Sequence, residues 1–143
     1  MRKGKAARWS AEVEMQVQFF DLDPMDIVWH GNYVKYLEVA RCALLDSIDY
    51  NYVQMKASGY AWPIIDLQLR YAAPATFGQR LLLRADLVEW ENRLRIDYLI
   101  SDAASGKRLN RATTTQVAVD ITTGEMCFMS PAILFDKLGV PAP

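Results

Sequence analysis

Between Phe19 and Arg41 the chain reads FFDLDPMDIVWHGNYVKYLEVAR, and most of its reactive chemistry is gathered there. Asp21, Asp23 and Asp26 fall close together and are followed by His30, the only histidine. A helical pattern opens immediately after, at Gly31–Asn32. Loops that join a strand to a helix present reactive groups from a fixed scaffold. The first turn of a helix adds unpaired backbone N–H groups and the positive end of the macrodipole, which suit a developing negative charge. One segment therefore offers carboxylates, an imidazole and an anion hole. The same four side chains, Asp21, Asp23, Asp26 and His30, also form a donor set of the type that holds magnesium or manganese. A third reading is purely local, because aspartates in loops commonly cap nearby backbone N–H groups.

The elements that must position this segment follow from periodicity. Glu12 to Phe19 alternates, with Val13, Met15, Val17 and Phe19 on one face and Glu12, Glu14, Gln16 and Gln18 on the other. That predicts a half-buried strand. From Asn32 to Ile48 the period becomes helical: Tyr33, Leu37, Ala40, Leu44 and Ile48 make one stripe, widened by Val34, Tyr36, Ala43 and Leu45. A helix with so broad an apolar surface is deeply buried. Asn32 is its expected N-cap, and Glu38 and Arg41 sit at a stabilising spacing. Asp49 to Gly59 reads as a short irregular or helical link. Four strands follow, centred on Ile65–Tyr71, Leu81–Leu87, Leu94–Ile100 and Arg111–Ile121, with turn signals between them. Ser130-Pro131 reads as an N-cap and first position of a short terminal helix ending at Gly139. One long helix that must be covered on most of its girth is wrapped most economically by a strongly curved antiparallel sheet. The fold class is α+β with a sheet of about five strands.

The totals narrow the function classes. The 143 residues fit one domain, taken as 1–143. A formal net charge of −1 argues against nucleic acid as a partner. No apolar run reaches the length of a membrane span. The basic stretch Met1 to Arg8 lacks the apolar core of a signal peptide, so residues 1–11 are expected to be a frayed, solvated N-terminus. Cys42 and Cys127 show no metal-ligand spacing and read as buried reduced thiols, consistent with a cytoplasmic domain.

The element order, together with D-L-D-P-M-D-I-V-W-H-G-N-Y and Y-L-E-V-A-R, resembles the hot-dog-fold acyl-CoA thioesterases, and within them the 4-hydroxybenzoyl-CoA thioesterase-like group. The resemblance spans Glu12 to Leu138. It implies a central helix wrapped by a curved sheet, with subunits joined edge to edge into a homodimer or homotetramer and active sites between subunits. It implies hydrolysis of acyl- or aroyl-CoA, or carrier-bound, thioesters without a metal or other cofactor. It makes Asp23 the catalytic acid and His30 the oxyanion donor through its backbone N–H, with the imidazole assisting. Trp29, Gly31, Tyr33, Trp62 and Ile65 are the candidate substrate-binding residues, and Arg93 and Arg95 the candidate CoA-binding residues. Asp21 takes a turn-stabilising role. The sequence departs from the family pattern at Asp26, where many relatives carry glycine, and at Glu91 and Asn92, where one relative carries nucleotide-binding arginines. A non-catalytic acyl-binding module and a metal-dependent hydrolase remain the alternatives. An aspartyl-phosphate hydrolase would require a fully buried parallel strand, and a hot-dog dehydratase an acid well inside the helix; neither pattern is present.

Overall fold

In the computed structural model, which describes residues 8–143, the elements run β1 (Trp9–Gln16), α1 (Tyr33–Ser47), α2 (Tyr52–Ala57), β2 (Tyr60–Ala61), β3 (Ile64–Tyr71), β4 (Arg80–Glu89), β5 (Leu94–Asp102), β6 (Arg108–Gln116), β7 (Val119–Asp120) and α3 (Ala132–Leu138). The alternating stretches pair antiparallel into one sheet of order β1-β4-β5-β6-β3, and β2 pairs with β7 beside it. Register puts the apolar positions of successive strands opposite one another: Val13 faces Leu83, which faces Ile100, and Ala11 faces Ala85, which faces Tyr98. Each match keeps one face of the sheet apolar, since a slip of one residue would turn the whole set to solvent.

That face takes α1. The helix lies over β1 and β4 and reaches β5. Tyr36, Leu37, Ala40, Leu44 and Leu45 are buried against Leu81, Leu83, Ala85 and Ile96. Beyond the helix footprint the inner face of β6 turns polar, with Asn110, Thr114 and Gln116 all buried. Two of these find partners: the Tyr98 and Thr114 hydroxyls meet at 2.7 Å across the sheet, and Gln116 Nε2 donates to the Trp62 carbonyl at 2.8 Å, with Gln116 Oε1 left without a donor among the described residues. Arg41 is buried on the helix and donates to Glu38 and to the Tyr52 hydroxyl, so the expected Glu38–Arg41 pair forms.

Several boundaries differ from the periodicity. The first strand begins at Trp9, so the 9–11 part of the expected frayed segment is strand, and residues 1–7 lie outside the described residues. It ends at Gln16 rather than at Phe19. The Asp21 carboxylate accepts the Gln18 N–H at 2.9 Å and bends the chain into a 3₁₀ turn over Phe19–Asp21. Phe19, expected on the buried face, is therefore 76% exposed. Asn32 does not cap α1 with its side chain, because its amide is used elsewhere. The strand expected over Arg111–Ile121 is β6, which begins at Arg108, followed by the separate short β7. Pro131, not Ser130, is the N-cap of α3; the helix does stop at Gly139, in the left-handed region at φ 70°.

Leu44 touches this core from the middle of α1 and is fully buried. Leu44→Ala is expected to destabilise the chain by about 2–5 kcal/mol, the usual penalty for a large-to-small change in a packed core. Urea unfolding followed by circular dichroism measures it.

Candidate active site

The segment between β1 and α1 folds back on itself. Asp23 N–H donates to the Ile27 carbonyl at 2.8 Å and Asp26 N–H to the Asp23 carbonyl at 3.0 Å, closing a tight turn around Pro24 and Met25. Asp26 takes φ 64° there. Aspartate tolerates this left-handed conformation better than most residues, and glycine adopts it freely, which accounts for the residue type at this position. The Asp23 carboxylate accepts the Met25 N–H through Oδ1 at 2.8 Å, an Asx turn that holds the side chain in place while leaving Oδ2 without a protein donor among the described residues.

Asp21 ties this turn to the helix. Its side-chain Oδ2 accepts from Gln18 N–H and from the Tyr36 hydroxyl, both at 2.9 Å. Its carbonyl accepts from Trp29 N–H at 3.0 Å and from Asn32 Nδ2 at 2.8 Å. Burial and the neighbouring carboxylate push the Tyr36 phenol well above its ordinary ionisation range, so it remains a donor throughout the accessible pH range. Asp21 thus has the turn-stabilising role expected of it, with its oxygens committed to the protein.

Past Trp29 the chain turns through a 3₁₀ segment, His30–Asn32, directly into α1. Asn32 N–H donates to the Trp29 carbonyl at 2.9 Å. Among the described residues the N–H groups of His30 and Gly31 have no hydrogen-bond acceptor. They are the free donors of a helix start. The Trp29 indole lies across Gly31 so closely that a Cβ there would collide with the ring, which is why the position is glycine. The Trp29 and His30 rings sit 5.2 Å apart between centroids.

Asp23, His30 and Tyr33 line one open cleft of about 310 Å³, whose opposite wall is Tyr71, Ala73 and Pro74 at the end of β3. Tyr33 is buried, accepts the Ala75 N–H through its hydroxyl at 3.1 Å and packs edge-on against Tyr71. Burial raises its ionisation above the ordinary tyrosine range. The Tyr71 hydroxyl donates to the His30 carbonyl at 2.9 Å, a contact that sequence reasoning missed because 41 residues separate the partners.

Other candidates lie elsewhere in the chain. Trp62 lines a second, mainly apolar hollow of about 520 Å³ with Tyr60, Met55 and Ile121. It sits beyond the first residue of β3, whereas Tyr71 is the last; the strand between them spans about 23 Å. Ile65 is 58% exposed at a bulge on the same strand. Arg93 and Arg95 belong to the β4–β5 hairpin at the Trp62 end, and both face Glu89, Arg93 at 2.8 Å and Arg95 at 3.8 Å. Within one chain these four residues are therefore separated from the Asp23 cleft by the length of β3. The four-residue metal set does not converge, because Asp21 points inward to Tyr36 while Asp26 and His30 are exposed; no group of three or more His, Cys, Asp or Glu side chains gathers in a metal-binding arrangement among the described residues.

A five-stranded antiparallel sheet packed on one long helix is the architecture of the hot-dog fold. The family model of the thioesterase-like superfamily matches residues 17–135, and the chain belongs to that superfamily. It is 28% identical to a putative acyl-CoA thioesterase of Bacillus subtilis, over 75% of this chain and 78% of that protein. It is 27% identical to a putative esterase of Synechocystis, over 89% and 77%. Among solved structures, a 1,4-dihydroxy-2-naphthoyl-CoA thioesterase from Synechocystis superposes with a TM-score of 0.80 at 24% identity, covering 94% of this chain and 99% of that one. A 4-hydroxybenzoyl-CoA thioesterase solved with its substrate superposes with a TM-score of 0.78 at 18% identity, covering 90% and 98%. These last two likenesses establish the fold.

Two outcomes follow from the loop geometry. Tyr36→Phe removes one donor from the buried Asp21 carboxylate and is expected to destabilise the protein by about 1.5–3 kcal/mol, the range for a hydrogen bond to a charged group; chemical denaturation measures it. Asp26→Gly is expected to leave stability unchanged or higher, whereas Asp26→Val is expected to lose roughly 1–2 kcal/mol from the left-handed backbone. Equal stability for the two Asp26 variants in thermal melts would contradict the strain argument.

Proposed function

We propose that this chain hydrolyses acyl- or aroyl-CoA thioesters to the free acid and CoA, with Asp23 and the start of α1 as its chemical centre. One observation carries this reading: the Asp23 carboxylate shares a largely apolar cleft with His30, whose backbone N–H is unpaired at the start of α1. The thioester carbonyl oxygen binds at that amide, where the helix dipole favours the developing oxyanion. Asp23 then either attacks the carbonyl carbon to give a mixed anhydride or takes a proton from an attacking water. In both versions the C–S bond breaks and CoA leaves, its thiolate taking up a proton; in the first, water then hydrolyses the mixed anhydride to the free acid and restores the Asp23 carboxylate. The proteins it resembles, acyl-CoA and aroyl-CoA thioesterases among them, support this substrate class. Trp29, Gly31 and Tyr33 border the acyl group in this reading.

The working form is a dimer formed along the β3 edge. That edge has no neighbouring strand among the described residues and exposes Ile65, Leu67 and Tyr71. Uncovered edges with apolar side chains invite pairing. An antiparallel two-fold centred on Gln68 is self-complementary: it sets each Arg70 opposite Asp66 of the partner subunit, an opposite-charge pair. The same operation brings the partner's Ile65 beside Tyr71, and with it the partner's Trp62 hollow towards the Asp23 cleft. The two distant halves of the expected acyl site thereby become neighbours. Arg93 and Arg95 travel with the hollow and become candidates for the CoA phosphates. The setting we propose is cytoplasmic. Both cysteines are unpaired, and no helix among the described residues is long and apolar enough to cross a membrane.

Free-thiol release from a panel of acyl- and aroyl-CoA substrates tests the activity. Asp23→Asn keeps the shape and the Asx turn but removes the charge, and is expected to lower turnover by roughly 10²–10⁴ while folding and assembly persist. Asp26→Asn is expected to lose far less. An Asp23→Asn enzyme within a few-fold of wild type would refute the assignment. For assembly, light scattering should show a dimer that Leu67→Pro splits, because in the β3–β6 register Gln68 bonds to β6 and the Leu67 N–H faces the open edge, where proline removes an inter-subunit donor.

A further inference from the structure

We propose that Tyr52, held in place by the buried Arg41, gauges the acyl group of the substrate, an inference that rests on the part given above to the Trp62 hollow in the acyl site. The hollow of about 520 Å³ has walls of two kinds. Met55 and Trp62 are buried, and their surroundings lock them. Trp62 Nε1 donates to the Tyr50 hydroxyl at 3.2 Å, and that hydroxyl meets the Ser58 hydroxyl at 2.9 Å. Tyr52, at the first position of α2, is 45% exposed, so packing alone does not fix its ring.

Polar contacts from α1 fix it instead. Arg41 Nη2 donates to the Tyr52 hydroxyl at 2.6 Å, and that hydroxyl donates to Glu38 Oε2 at 3.4 Å. The guanidinium also lies 5.9 Å from the centre of the Tyr52 ring, within cation–π range. Arg41 is itself buried, and a charge taken so far out of water is stable only where it is paired and hydrogen-bonded. Glu38 and Tyr52 supply those partners, so the place of the phenol is tied to the needs of a buried charge. Asn51 Nδ2 donates to Asp46 Oδ1 at 2.8 Å and fastens the start of α2 to the same helix. The rest of the lining, Val119 and Ile121 among it, is mainly apolar and suits an alkyl chain. Where the Tyr52 ring stands then decides how much of that chain is covered. Arg41 acts as a positioning residue, through Tyr52 and without touching the substrate.

A series of acetyl-, butyryl-, hexanoyl-, octanoyl- and decanoyl-CoA tests the gauge. Each methylene that enters the hollow is expected to raise kcat/KM by roughly fourfold, the fold-change for burying one CH₂. Tyr52→Phe keeps the ring and removes the hydroxyl that Arg41 holds. It is expected to raise KM for decanoyl-CoA by roughly 3- to 10-fold, with kcat for decanoyl-CoA and both constants for acetyl-CoA within about twofold of wild type. Val53→Ala, at an exposed neighbour outside the lining, is expected to change none of these. Free decanoate gives a readout that needs no turnover. It is expected to move the Trp62 indole cross-peak in the ¹H–¹⁵N spectrum, and Tyr52→Phe is expected to need several-fold more decanoate for the same shift. Equal losses for acetyl- and decanoyl-CoA, an unchanged chain-length profile or a Trp62 peak that decanoate leaves in place each overturns the proposal. If thioesters are cleaved and Tyr52→Phe leaves the profile unchanged, the gauge fails and the thioesterase reading stands. If no acyl-CoA is cleaved while decanoate moves the Trp62 peak and Tyr52→Phe weakens that binding, the gauge stands and the thioesterase reading falls.

Discussion

The buried Asp21 is the constraint on which the site depends. A carboxylate taken out of water is costly unless its oxygens are hydrogen-bonded. Here Oδ2 takes two donors, the Gln18 N–H and the Tyr36 hydroxyl. The first stops β1, and the second reaches into α1. The Asp21 carbonyl adds Trp29 N–H and Asn32 Nδ2. One residue thus fixes the end of a strand, the return of the loop and the first turn of the helix. Asp23, two positions on, inherits its place from this anchoring. So do the open amides of His30 and Gly31.

This division of labour explains why neighbouring aspartates behave so differently. Asp21 is enclosed and committed to structure. Asp23 spends one oxygen on the Met25 N–H and keeps the other facing the cleft. Asp26 is exposed, and its contribution is a backbone conformation rather than a carboxylate. A metal would need these donors to converge, and the turn directs them apart. The role proposed for this loop, one carboxylate beside one helix-start amide at a thioester carbonyl, requires no such convergence.

The rest of the chain holds this arrangement against the sheet. The apolar registers of β1, β4 and β5 seat α1 and set the height of its first turn above β3. The end of β3 then meets the helix start through Tyr71 and Tyr33. Solved thioesterases that share only 18–24% of their residues with this chain keep the same architecture at TM-scores of 0.78–0.80. Such persistence is expected when the apolar alternation and the helical stripe, rather than individual side chains, determine the packing.

Patterns of short range were enough to read much of the protein from its sequence. Strand alternation, the wide helical stripe and turn residues such as Gly139 are local signals, and they led to a central helix, a curved sheet of five strands and the loop that carries Asp21, Asp23 and His30. The resemblance of D-L-D-P-M-D-I-V-W-H-G-N-Y to hot-dog thioesterases added the activity class, and the superfamily match agrees with it. What tertiary structure decided was every feature that depends on partners distant in the chain. Asp21 is held in place by Tyr36, 15 residues later, and the carboxylate so fixed takes the Gln18 N–H that ends β1 and turns Phe19 outward. Asn32 stands at the N-cap of α1 without a side-chain cap bond, its amide turned to donate to the Asp21 carbonyl 11 residues earlier. Tyr71 meets His30, and Trp62 stands at the far end of β3, because strand order and length bring one to the cleft and carry the other away. Alternation specifies which face of an element is buried; it carries no information on which residue of a distant element will stand opposite. That information arises only when the sheet closes around the helix and hydrogen-bond donors must find acceptors in the space that remains.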